Sequence, residues 1–182
     1  SFVSSIKNKI VSSSSSSDDY NVLKKLNHGG CFMGSCLVSI PNGYKKIEDL
    51  RKNDIIINNN IESIIECIIK LRCPNNITNI CHFESGLKIT PWHPIKINNE
   101  WIFPNSLIQS RPTNCAFVYN IILNNRNSII IHDLKCCTLA HGLQGNVIEH
   151  EFFGTEKIIQ NLKTNFTNEY DLGLIQSISI IE

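Results

Sequence analysis

From Cys36 onward the apolar residues come in short runs broken by turn formers, and nothing between Asp54 and His132 sustains a helical period over three turns. Leu37-Val38-Ser39-Ile40 predicts a strand, ended by Pro41-Asn42-Gly43, a hairpin signal. Residues 47–50 read as one helical turn, 52–54 as a tight turn, and 55–57 as the start of the next strand. The isoleucine-rich stretch 61–71 is long enough for one strand or two, with Asn58-Asn59-Asn60 and Pro74-Asn75-Asn76 breaking the runs around it. Further strands are predicted over 87–90, 95–97, 101–103, 117–123, 129–132 and 135–139, with Asn98-Asn99 as a turn and Pro104 as a stop. Many short strands with frequent turns define a compact all-β domain. Residues 154–162 predict a short helix in a C-terminal extension.

The N-terminal part has a different character. Six consecutive serines, Ser12 to Ser17, precede Asp18-Asp19. Such a segment cannot bury enough apolar area to offset the entropy of ordering it. The expected organisation is a flexible linker over 1–28, with a helical turn at 20–26, the main domain over 29–142, and an extension over 143–182 packed on it.

Composition narrows the partners. At 182 residues and 42% hydrophobic, the chain can bury one core. A net charge of +1 points to neither nucleic acid nor an anionic membrane, and no apolar run reaches the length of a membrane span. The heavy use of isoleucine and asparagine reads as compositional bias. Eight cysteines without a C-x-x-C pair argue against a zinc module, and a chain this long folds without disulfide staples. Reduced thiols in a cytoplasmic monomer, one of them used as a thiolate, is the expectation, with no metal and no cofactor.

Two stretches carry chemistry. Gly29-Gly30-Cys31 puts a thiol directly after glycines, where it can attack the carbonyl of the Gly30–Cys31 bond without a hindering Cβ. Thr90-Pro91-Trp92-His93-Pro94 places a hydroxyl and an imidazole three residues apart in a stiffened loop. An amide yields to a thiol only if its nitrogen is protonated as it leaves and its oxygen is held by polar groups. His93 can move the proton and Thr90 can hold the bond, with Cys31 as nucleophile.

These stretches together resemble the Hint family, the self-processing domains of hedgehog proteins and inteins. Gly30-Cys31-Phe32-x-Gly34-Ser35 resembles the hedgehog cleavage junction, and Thr90-x-x-His93 the family's second block. Ile47-Glu48-Asp49-Leu50-x-x-x-Asp54-Ile55 and Val118-Tyr119-Asn120-Ile121-Ile122-Leu123 are similar to two further family segments. Thr138-Leu139-Ala140-His141-Gly142 and Phe152-Phe153-Gly154-Thr155 resemble the Vint type attached to von Willebrand A-domain proteins. The resemblance implies a flattened, pseudo-twofold Hint/intein-like horseshoe of short strands. It also implies autocatalytic, single-turnover cleavage of the chain at Gly30–Cys31, through an N-to-S acyl shift to a thioester. The substrate is then the protein's own upstream chain, and in a von Willebrand A-domain protein that cargo would be the adhesion-type module.

Departures from the family pattern shape the second step. An intein's terminal Asn is replaced by Gly142 after His141, so full splicing is not expected. The resemblance places Cys137, with Cys136 beside it, where hedgehogs carry an assisting cysteine. No Asp stands between Ile55 and Thr90 to support cholesterol transfer, which leaves water or a small thiol as acyl acceptor. The histidine expected after the Tyr119 strand is replaced by Asn125-Arg126-Asn127, with His132 further on. The competing expectation is a catalytically degenerate Hint module serving as a structural or protein-interaction domain.

Overall fold

The structure, a computed structural model, describes residues 30–176. The expected linker over 1–28 and its helical turn lie outside the described residues. In chain order the strands are Phe32–Met33 (β1), Leu37–Ile40 (β2), Gly43–Lys46 (β3), Ile55–Asn58 (β4), Ile61–Arg72 (β5), Ile77–His82 (β6) and Lys88–Ile89 (β7). They continue with Ile95–Ile97 (β8), Glu100–Ile102 (β9), Arg111–Asn114 (β10), Phe117–Leu123 (β11), Ile129–Ile131 (β12), Leu134–Cys136 (β13) and Leu174–Gln176 (β14). Among the described residues two α-helices, Glu156–Asn165 (α1) and Thr167–Leu172 (α2), precede β14.

The strands form two sheets. One runs β10-β6-β7-β1-β11-β5-β14, with β4 also on β5; the other runs β3-β2-β12-β13-β8-β9. Pairing is antiparallel except for β14, which joins β5 in parallel. The isoleucine-rich stretch is thus one strand, β5, paired with β4 over residues 61–64 and with β11 over residues 65–72. Alternation along β11 feeds two cores: Val118 and Ile122 face one, while Tyr119, Ile121 and Leu123 face the other. The first core holds Cys31, Ile69 and Leu71 and is covered by Ile158, Ile159, Leu162 and Phe166 from the C-terminal helices. The second lies under the six-stranded sheet, with Val38, Ile95, Ile129 and Ile131.

The helices are also held by polar contacts. The Tyr170 hydroxyl donates to Glu66, and Arg126 reaches Glu66 at 2.9 Å and Glu156 at 2.8 Å, tying α1 and α2 to β5. The extension therefore supplies one wall of the core that contains Cys31.

Asparagine has a clear structural use here, which corrects its reading as compositional bias. Asn59-Asn60 and Asn98-Asn99 have φ of 47° and 68°, and 49° and 65°, and each pair closes a two-residue hairpin. That left-handed geometry matches the strand twist, and Asn tolerates it. The expected strand over 135–139 ends at Cys136, and β1, β6, β10 and β14 are not among the expected strands and hairpins. Pro112 sits in β10, an outer strand of its sheet, where its missing N–H is tolerated.

Replacing Ile158, fully buried against the Cys31 core, with Ala should lower stability by about 2–4 kcal/mol in urea melts. A loss below about 1 kcal/mol would show that the extension contributes little to that core.

Candidate active site

The position of β1 builds the site. Phe32 pairs with Ile89 on one side and Tyr119 on the other, so β1 lies between β7 and β11. One residue back along β1, which is one residue forward along the antiparallel β7 and β11, Cys31 falls between Thr90 and Asn120, and the Gly30–Cys31 bond enters the sheet between them. On the β7 side, the Cys31 N–H donates to the Thr90 hydroxyl oxygen at 2.8 Å. The Thr90 N–H and hydroxyl both donate to the Cys31 carbonyl, at 3.0 and 3.2 Å. On the β11 side, the Asn120 side-chain amide donates to the Gly30 carbonyl at 2.5 Å. The two ends of one peptide unit are thus gripped from opposite strands.

His93 packs against the same bond. A Cβ on Gly30 would stand 3.1 Å from the Cα, Cβ and Cγ of His93, so glycine lets the two approach this closely. The imidazole lies against Phe32, ring centroids 4.3 Å apart, and its Nε2 is 2.7 Å from the Cys137 carbonyl. A carbonyl only accepts, so Nε2 carries the proton and Nδ1 is left as a lone pair. Nδ1 is buried without a hydrogen-bond partner. Burial pushes the His93 pKa down to about 4, although the bond to Cys137 opposes the shift.

Burial holds the thiol in its protonated form. Cys31 is fully buried, and desolvation, with a smaller contribution from Cys115 nearby, raises its pKa far above the usual thiol range. Its proton must leave during attack, and a neutral imidazole is the kind of base that can take it.

A cavity of about 380 Å³ opens beside the junction, walled by Gly30, His93, Asn120, Cys137 and His141. Trp92, Ile148 and Phe153 make it largely apolar. Cys137 is therefore at the site, its thiol pushed up to about 12 by burial. Cys136, one residue earlier on the alternating strand, is turned away into the other core. His141 reaches the cavity; its Nδ1 accepts from the Leu143 N–H at 2.9 Å, and burial and His150 both lower its pKa. His132 lies elsewhere, accepting from the Leu37 N–H at 3.2 Å on an exposed turn.

Sequence reasoning missed Asn120 and His150, which also lines the cavity. The signal for Asn120 was available: it is the one polar residue in an otherwise apolar strand, facing the core that holds Cys31. His150 is placed only by the fold of the extension.

A strand-built domain with a cysteine at the head of a clamped strand, backed by Thr and His, is the arrangement of a Hint-type self-processing domain. A family model for the Vint type, described as a Hint domain, matches residues 30–177, and the chain belongs to that family. No curated protein matches. Among solved structures, a DnaB intein from Synechocystis sp. PCC 6803 is 15% identical, with 60% of this chain and 99% of that one covered at a TM-score of 0.47. The gp41-1 intein is 11% identical over 60% of this chain and 99% of its own, TM-score 0.46. A bacterial intein-like domain from Clostridium thermocellum is 13% identical over 59% and 96%, TM-score 0.47. Among the described residues no helix is long and apolar enough to cross a membrane.

The buried His93 has a consequence for stability. Unfolded, it takes up a proton below about pH 6.5; folded, it stays neutral down to about 4. The unfolded chain thus binds the extra proton in this window, and stability falls with pH by about 2–3 kcal/mol from this group. Urea melts at pH 7 and 4.5 should show this loss reduced in a His93→Gln chain; equal losses in both chains would contradict the assignment.

Proposed function

We propose that the domain cleaves its own chain at Gly30–Cys31 by an N-to-S acyl shift followed by release of the thioester to water or a small thiol. The observation that carries this reading is the clamp on one peptide unit: Asn120 on the Gly30 carbonyl at 2.5 Å and Thr90 on the Cys31 N–H at 2.8 Å. Cys31 Sγ attacks the Gly30 carbonyl carbon as its proton passes to His93 Nδ1. The negative charge that develops on the Gly30 oxygen is met by the Asn120 amide, a fixed dipole in a water-poor site. The C–N bond then breaks, His93 returns the proton to the Cys31 nitrogen, and a thioester and an amine remain. No atom is gained or lost in this step, and it requires no cofactor.

For the second step, the cavity at Gly30 gives a small nucleophile access to the thioester carbonyl. Attack by water yields a carboxylate at Gly30, and attack by a thiol yields a new thioester; both leave a fragment beginning at Cys31. Cys137, in the cavity wall, is the second thiol placed to take part, and Cys136 is not. The complete burial of the thiol favours the second reading, an inert Hint scaffold.

Intact-mass analysis with and without dithiothreitol separates the two. The expected result is a fragment starting at Cys31, formed faster with thiol and absent in Cys31→Ala. An unchanged mass after long incubation would support the scaffold. Asn120→Ala should slow cleavage by about 10²–10³-fold, the usual cost of an oxyanion donor, and a rate within about threefold of the parent would remove it from the mechanism.

A further inference from the structure

A second cavity, of about 320 Å³, shares His141 with the one beside Gly30 but has a different chemistry. Lys96, Lys135 and Arg126 stand in its wall with Trp101, Asn127 and Ser128, and no aspartate or glutamate lines it. The chain as a whole carries a net charge of only +1, so this concentration of cations is local.

Lys96 and Lys135 are Cα partners in the antiparallel pair of β8 and β13. Residues directly opposite in such a pair project on the same face, and like charges there repel and destabilise the sheet. Among the described residues neither lysine has an ion-pair partner, and Lys96 instead lies over the Trp101 ring at 5.6 Å. Arg126 differs, its charge being met by Glu66 and Glu156. The facing wall is held in place: the Asn58 side chain donates to the Ser128 carbonyl at 3.0 Å and accepts from the Ile130 N–H at 2.9 Å.

An oxyanion between the two lysines would turn their repulsion into a shared attraction, with three donors available from each ammonium. We propose that this cavity binds a small phosphate-type oxyanion, either inorganic phosphate or a phosphomonoester. The oxyanion sits between Lys96 and Lys135, with the Trp101 ring available to any organic part. The site is independent of the cleavage chemistry and stands whether or not the Gly30–Cys31 bond is cut.

The test is an NMR titration of the full chain carrying Cys31→Ala, with sodium phosphate against sodium chloride at matched ionic strength. The Trp101 indole and His141 imidazole signals should move saturably with phosphate, with a dissociation constant on the order of 1 mM or tighter. The Trp92 indole, in the other cavity, should stay still. Phenyl phosphate in place of phosphate distinguishes the two sources: tighter binding assigns the site to a monoester, equal or weaker binding to the free anion. Lys135→Gln should abolish the response and, with the repulsion relieved, raise the melting temperature by about 1–4 °C in dilute phosphate-free buffer. Lys96→Gln gives the same readouts if that chain does not fold. Shifts that follow ionic strength alike in chloride and phosphate, or that persist in the lysine variants, would overturn the proposal.

Discussion

The structure depends on the register of one two-residue strand. β1 is held between β7 and β11, and the pairing of Phe32 with both Ile89 and Tyr119 decides what meets the residue before it. In that register Cys31 faces Thr90 and Asn120, and the amide between Gly30 and Cys31 is bonded at both ends. A slip of one residue would exchange the faces, sending Cys31 into the second core and Phe32 into the first. Phe32, fully buried with its ring tilted against that of His93, ties that register to the imidazole.

The second determinant is burial. Cys31 and His93 are almost wholly removed from water, so the thiol is held protonated and the imidazole neutral. In the proposed reaction two neutral partners form the resting state, and charge would appear only as the bond is attacked. The wall that keeps water out on one side belongs to the C-terminal helices, through Ile158, Ile159, Leu162 and Phe166. These helices are therefore part of the environment around Cys31.

Much of this was legible in the sequence. The short apolar runs with Asn, Gly and Pro between them gave the all-β architecture, because period-2 alternation and turn chemistry are local signals. Cys31, Thr90 and His93 were visible because a thiol after glycines and a Thr-x-x-His between prolines point to one chemistry. Asn120 was hidden because its role exists only across strands, where it reaches a carbonyl 90 residues away in sequence. Cys136 and Cys137 could not be told apart from sequence, since which of two adjacent strand residues faces the site depends on register. The burial that raises the Cys31 pKa was hidden for a similar reason, being a tertiary property. Arg111–Asn114 escaped notice because Pro112 argues against a strand everywhere but at a sheet edge.

The central claim is that Thr90 and Asn120 act together on a single peptide bond. A double-mutant cycle on thiol-induced cleavage, with Thr90→Val, Asn120→Ala and both together, tests it most directly. Groups that strain and polarise one bond as a unit lose their effects non-additively. The double variant should then cleave little more slowly than the worse single one. Rate losses that simply multiply, or a parent chain that does not cleave at all, would contradict the account.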